Sequence, residues 1–160
     1  MTASDPSPDL PRSVLFLCNQ NAVRSPIAEA LLTRAARGRL YVDSVGLHCA
    51  PMLDPFSVAV MAELGIDLAD YPPKGVDDLR ENGFELVIAL TPEAHDAARS
   101  DDFMPGAKIE YWPTMNPSLT EGGRETVLSA YRAVRDQLAR RIAHRFGFSA
   151  AAIEAPQQKP

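Results

Sequence analysis

Apolar residues cluster in four short runs, "VLFLC" (14–18), "LYVDSVG" (40–46), "FELVIAL" (84–90) and "KIEYW" (108–112), each of strand length and rich in β-branched or aromatic side chains. Segments with helical punctuation lie between them. Ser25-Pro26, Asp54-Pro55 and Thr91-Pro92 each set a capping side chain before a proline at the first helical position, where the missing N–H removes no bond. Gly38 and Gly65 fall where the first two of these helices should stop. From Glu125 to Phe146 the residues Val127, Tyr131, Val134, Leu138, Ile142 and Phe146 recur at three- and four-residue steps, which predicts one apolar face of a long helix with arginines on its wet side. Strands alternating with helices predict an α/β fold, a three-layer doubly wound domain whose mostly parallel sheet is covered on both faces. Such sheets bind ligands at the carboxyl ends of their strands, so a site should form where "VLFLC" meets the Ser25 helix.

The 160 residues make one domain, assigned to 13–146, between two tails at 1–12 and 155–160 that are proline-rich, poor in apolar residues and expected to be disordered. No apolar run is long enough to span a membrane, and the N-terminus lacks a basic head followed by an apolar segment, so a cytoplasmic location with no membrane partner is expected. Two cysteines, Cys18 and Cys49, are too few for a disulfide framework. A net charge of -5 argues against a nucleic-acid partner, whose phosphates demand a basic surface. An anion bound here must be held by local groups.

The loop after the first strand has such groups. If Asn19, Gln20, Asn21, Ala22, Val23 and Arg24 wrap back with their N–H groups inward, and the following helix aims its N-terminus at the same point, the loop cradles phosphate or another tetrahedral oxyanion. Asn21 suits the left-handed turn that such a nest requires. The same positive field stabilises a thiolate, so Cys18 becomes a nucleophile, Arg24 grips two oxygens through its planar fork, and Ser25 caps the helix and donates to the sulfur. The bland alternative, Cys18 as a small buried core residue, does not account for Arg-Ser-Pro at that distance.

Cys18-x5-Arg24-Ser25-Pro26, with Asn21 inside and "IAEAL" following, resembles the phosphate-binding loop of the low-molecular-weight protein tyrosine phosphatases and the related thioredoxin-coupled arsenate reductases. The resemblance runs from residue 13 to about 146, with "DSVGL" as second strand and substrate-side loop, "FELVIAL" as third strand and "YWPTMNP" as the segment carrying the general acid. It implies a phosphotyrosine phosphatase I-like fold of flavodoxin-like topology with a four-stranded parallel sheet. It also implies hydrolysis of phosphotyrosine or an aryl phosphate: the cysteine attacks phosphorus, and water then releases phosphate from the phosphocysteine. A phosphotyrosine protein is then the expected partner.

Three departures qualify that implication. The family's acid, an aspartate before a proline, is matched by Asn116-Pro117, and asparagine cannot donate and retrieve a proton, so turnover should be slowed. Glu121, Asp101 and Asp102 are read as solvated surface charges rather than substitutes. Val23 stands where the family usually carries a second cysteine beside the arginine, and Thr91 and Ala98 lie where a reductase of this family needs its relay thiols. The alternatives are therefore an arsenate reductase-like protein using an external thiol, or a catalytically weak phosphate or phosphopeptide binder.

The remaining chemistry-bearing residues are read conservatively. Cys49 is taken as a loop residue near the pocket mouth, and His95 and His144 as helix-surface residues. His48 and Trp112 are placed on the substrate side, with Met52, Leu53 and Phe56 as further candidates for the entrance. Asp54-Pro55 is read as a helix cap and not as the missing acid. No histidine, cysteine and acid grouping has metal-ligand spacing, so neither metal nor cofactor is expected.

Overall fold

A computed structural model of the chain describes residues 10–79 and 83–154. Period-two alternation decides how β1 (Ser13–Cys18) is used: Val14, Phe16 and Cys18 point to one face of the sheet, Leu15 and Leu17 to the other, and all are buried. In β3 (Leu86–Ala89), Leu86 and Ile88 share the first face, and Val87 and Ala89 share the second. With β2 (Tyr41–Gly46) and β4 (Lys108–Tyr111) these strands form one parallel sheet in the order β2-β1-β3-β4. A central strand buried on both faces needs a layer on each side. The first is α1 (Arg24–Ala36), α2 (Pro55–Ala62), α4 (Arg124–Phe146) and α5 (Ala150–Glu154); the second is α3 (Pro92–Ala98) with Phe84 and Met104. This is the three-layer α/β domain with a four-stranded parallel sheet that the sequence predicts.

Helix ends follow their chemistry at two of the three prolines. Asp54 Oδ1 accepts from the Phe56 amide at 2.8 Å, and Thr91 Oγ1 accepts from the Ala94 amide at 3.0 Å. The third differs: α1 begins at Arg24, its N-cap position is Val23, and no side chain caps it. Ser25 lies inside the helix, and its hydroxyl is used elsewhere. Arg37 (φ 51°) terminates α1 one residue ahead of Gly38 (φ 84°).

The apolar stripe of α4 packs as predicted, with Tyr131, Val134, Leu138, Ile142 and Phe146 buried. Burying a side chain of that size contributes about 1.5–3 kcal/mol, against about 0–1 kcal/mol for an exposed ion pair, so the stripe rather than the surface charges anchors the helix. The wet-side expectation fails for Arg135. It is buried because α2 packs over it, and its guanidinium donates to the Val60 carbonyl at 2.9 Å and to Glu63 at 2.8 Å.

At the ends, residues 10–12 of the expected tail are held. Leu10 packs on the core, Arg12 accepts from the Tyr41 amide at 2.8 Å, and its own amide donates to Glu85 at 2.9 Å. Residues 1–9 and 155–160 lie outside the described residues. Past Phe146, Gly147 (φ 75°) turns the chain so that α5 buries Ile153 against the first-face core. That short helix has too little periodicity to be read from sequence. No described helix is long and apolar enough to cross a membrane.

Candidate active site

The sheet order reverses between β1 and β3, and Cys18 is the last residue of β1 at that point. The loop that follows is held from outside by its carbonyls. Those of Cys18, Asn19, Gln20 and Ala22 accept from the amides of Leu47 (3.0 Å), His48 (2.8 Å), Ala50 (2.9 Å) and Asp54 (3.2 Å). In a trans peptide the next N–H points opposite to the carbonyl, so the amides of Asn19, Gln20, Asn21 and Val23 turn away from these neighbours. The Asn21 amide donates to Cys18 Sγ at 3.3 Å, which marks the direction they face. Asn21 takes φ 55°, the left-handed conformation that lets successive amides converge.

Behind the loop lies a buried polar network in which each group has a partner. Ser25 Oγ is 2.9 Å from Cys18 Sγ, and either can donate. Asn21 Nδ2 donates to Ser25 Oγ (2.8 Å) and Ser44 Oγ (2.9 Å), while its Oδ1 accepts from the Lys74 amide at 2.8 Å. Ser44 and Tyr71 hydroxyls both reach Glu29 Oε1 at 2.7 Å. Burial pushes Glu29 above the ordinary carboxylate range despite those two donors, and burial with the Glu29 charge pushes the Tyr71 phenol up, keeping it a donor. A fully satisfied buried network is rigid, so the Cys18 thiol is oriented from below. Glu29, Ser44 and Tyr71 carry no spacing relative to Cys18 that sequence reasoning could have used.

The hollow above the sulfur is a cavity of about 240 Å³ lined by Cys18, Asn19, Gln20, Ala22, Val23, Arg24, Asp54, Asn116 and Ser118. Arg24 reaches it from the first turn of α1 and is steadied by a 3.0 Å bond from Nη1 to the Thr114 carbonyl. Burial pulls its guanidinium down, opposed by the charges of Cys18 and Glu93. Asn116 also lines the hollow, and its Oδ1 accepts from the Ser118 amide (3.0 Å) and hydroxyl (2.7 Å) and caps a 3₁₀ turn at Pro117–Leu119. Asp54 caps α2 as predicted and also lines this cavity, a second placement that the reading of it as a cap alone did not include.

Two expected substrate-side residues stand elsewhere. Trp112 is buried: its ring meets Phe16 edge-on at 6.0 Å, Arg141 lies over it at 5.0 Å, and its indole donates to Glu110. The last strand ends one residue before Trp112, whose side chain falls on the core face with Phe16 and not at the mouth. His48 is exposed on the loop that braces the cradle, joined to it through its amide, and is not among the lining residues. Both cysteines are free; Cys18 is buried and Cys49 exposed. Thr91 is buried and donates to Asn19 Oδ1 at 2.7 Å, and Ala98 is buried in the second-face core. Among the described residues no three histidine, cysteine or acidic side chains come together to hold a metal ion.

Gly46 makes the close approach of loop and sheet possible. A Cβ there would lie 2.6 Å from the Asn21 nitrogen and the Gln20 carbonyl carbon, both backbone atoms that cannot swing aside. Gly46→Ala should therefore push the cradle open and cost about 1–3 kcal/mol, the usual range for overpacking. The check is thermal unfolding with and without inorganic phosphate. A lower midpoint and loss of the phosphate-induced rise are expected.

The fold and the site together define a doubly wound α/β protein with a cysteine at the foot of a main-chain cradle. The family model for low molecular weight phosphotyrosine protein phosphatases matches residues 13–155, and the chain belongs to that family. It is 32% identical over 132 residues to the arsenate reductase of Bacillus licheniformis, covering 82% of this chain and 92% of that protein. It is 30% identical over 129 residues to the arsenate reductase of Bacillus subtilis, covering 81% and 91%. Among solved structures, an arsenate reductase from Archaeoglobus fulgidus matches with a TM-score of 0.66 at 27% identity over 84% of this chain and 98% of that one. A mutant of YwlE from Bacillus subtilis shares the fold, with a TM-score of 0.66 at 21% identity over 84% and 96%.

Proposed function

We propose that the protein is a phosphoric monoester hydrolase acting on phosphotyrosine or another aryl phosphate through a phosphocysteine at Cys18. The observation that carries this reading is the Cys18 sulfur set in the cradle beside Arg24 and Ser25, with no thiol at either relay position. Cys18 attacks phosphorus; the loop amides and Arg24 hold the equatorial oxygens as charge builds on them; Ser25 supports the thiolate as it forms and as it leaves. Asn116 occupies the acid's place without a transferable proton. Leaving groups must then depart as anions, which favours activated aryl phosphates and slows the rest by about two to four powers of ten.

A second reading is favoured by the relatives named arsenate reductase. Cys18 would displace hydroxide from arsenate, an external thiol would attack the sulfur to release arsenite as a mixed disulfide forms, and a second thiol would restore Cys18. Two thiols are oxidised as arsenic is reduced. Both activities are measured on one preparation, as phosphate release from para-nitrophenyl phosphate and as arsenate-dependent consumption of glutathione or mycothiol. Ester turnover with a phosphorylated Cys18 is expected. Thiol oxidation without ester turnover would replace the first reading by the second, and tight phosphate binding with neither activity would leave a binding protein.

A further inference from the structure

Hydrolysis of a phosphocysteine needs a group that takes a proton from the attacking water, and Asn116 has none to offer. We propose that Asp54 is that base, an inference that rests on the phosphatase reading above. Among the residues lining the cavity, Asp54 alone carries a carboxyl. In the intermediate the Cys18 sulfur is bonded to phosphorus, and a guanidinium such as that of Arg24 accepts no hydrogen bond. The amide and hydroxyl side chains around them do not take up a proton near neutral pH.

The placement of Asp54 goes beyond what a helix cap requires. A cap uses one oxygen, and Oδ1 serves that purpose with the Phe56 amide at 2.8 Å. The other oxygen, Oδ2, accepts from the Tyr131 hydroxyl at 2.6 Å, and the Asp54 amide is tied to the Ala22 carbonyl of the cradle at 3.2 Å. The carboxyl is thus fixed to α2 and α4, and the backbone of the same residue to the phosphate loop. A carboxylate has about four acceptor sites, so two donors leave room for a water. Tyr131 lies 1% exposed on the apolar face of α4, where a phenylalanine would fill the same space. Its hydroxyl is placed on Asp54. Burial first, and then the bond to Asp54, push the Tyr131 phenol up, so it stays a donor.

The step balances. One water proton goes to the Asp54 carboxylate, the water oxygen bonds to phosphorus, and the phosphorus–sulfur bond breaks with its pair returning to Cys18. Phosphate and thiolate leave the step, and Asp54 gives its proton to solvent. Leaving-group departure has no such help, so the substrates are phosphate esters whose alcohols are acidic.

Rapid-quench kinetics with para-nitrophenyl phosphate on the full chain test this, reading nitrophenol and phosphate separately. Asparagine caps helices as well as aspartate, so Asp54→Asn keeps α2 while removing the base. It should give a nitrophenol burst equal to the enzyme, phosphate release slowed about 100-fold or more, and a phosphocysteine visible by mass. Tyr131→Phe should slow the same phase less. Should Asp54→Asn fold poorly, Asp54→Ser caps equally well, and added formate should restore its phosphate release. Unchanged kinetics, or equal slowing of both phases, would overturn the role of Asp54 and leave the phosphatase reading standing. A wild-type enzyme that never phosphorylates Cys18 would overturn that reading and this inference with it.

Discussion

Cys18→Ser should abolish turnover of para-nitrophenyl phosphate, by on the order of 10⁴-fold or more. A serine hydroxyl in the same place lacks an ionised form near neutral pH, and an alkoxide is a far poorer leaving group than a thiolate when the intermediate breaks down. The amides turned inward by the Leu47, His48, Ala50 and Asp54 contacts and the Arg24 guanidinium remain in place. Phosphate affinity should then change only a few-fold, on the order of 1 kcal/mol, since the substitution removes one atom's chemistry and leaves the charge-assisted bonds intact. Initial rates and a phosphate titration followed by thermal shift measure the two quantities. Full activity in the serine variant would end the assignment of Cys18 as nucleophile.

Asn116→Asp should raise turnover, by about 10²- to 10⁴-fold on esters with poor leaving groups and much less on para-nitrophenyl phosphate. The backbone needs no change. Asn116 caps its 3₁₀ turn through Oδ1, with the Ser118 amide and hydroxyl as donors, and an aspartate oxygen accepts both. The new carboxyl would share a cavity with Asp54, and two carboxyls in one site favour keeping a proton on one of them. On the proposed phosphatase reading, that proton is what the departing oxygen lacks in the native chain. A series of phenyl phosphates of graded leaving-group acidity measures the effect as a flatter dependence of rate on leaving group. If the dependence stays as steep as in the native protein, residue 116 does not stand in the acid's position.

The two predictions depend on different kinds of contact. The first concerns residues adjacent in the chain, and the second concerns a wall of the cavity delivered from a distant loop. The Arg135 and Trp112 expectations failed for the same reason that the Asp54 placement was incomplete. Periodicity says which side of a helix or strand is apolar, but not which neighbour covers it. Arg135 is buried because α2 crosses α4 there. Trp112 is turned inward because the residue after β4 continues onto the face shared with Phe16. Tyr131 reads as one more core residue until its hydroxyl is found on Asp54, 77 positions away.

Sequence alone determined the four strands, their alternation with helices, and the tight loop from Cys18 to α1, because these are local. The two-residue alternation of β1 fixes its facing, and Cys18 to Ser25 is one unbroken segment whose spacing sets the geometry. Tertiary structure alone decided what surrounds that loop. Gly46 allows it to lie against β2, Glu29 and Tyr71 close the network beneath it, Thr114 steadies Arg24, and Asp54 and Asn116 both line the hollow. These residues come from separate turns of the chain, and no local periodicity relates them. They meet because the strands are all parallel, so the carboxyl ends of β1, β2 and β4 and the segments that follow them gather at one end of the sheet.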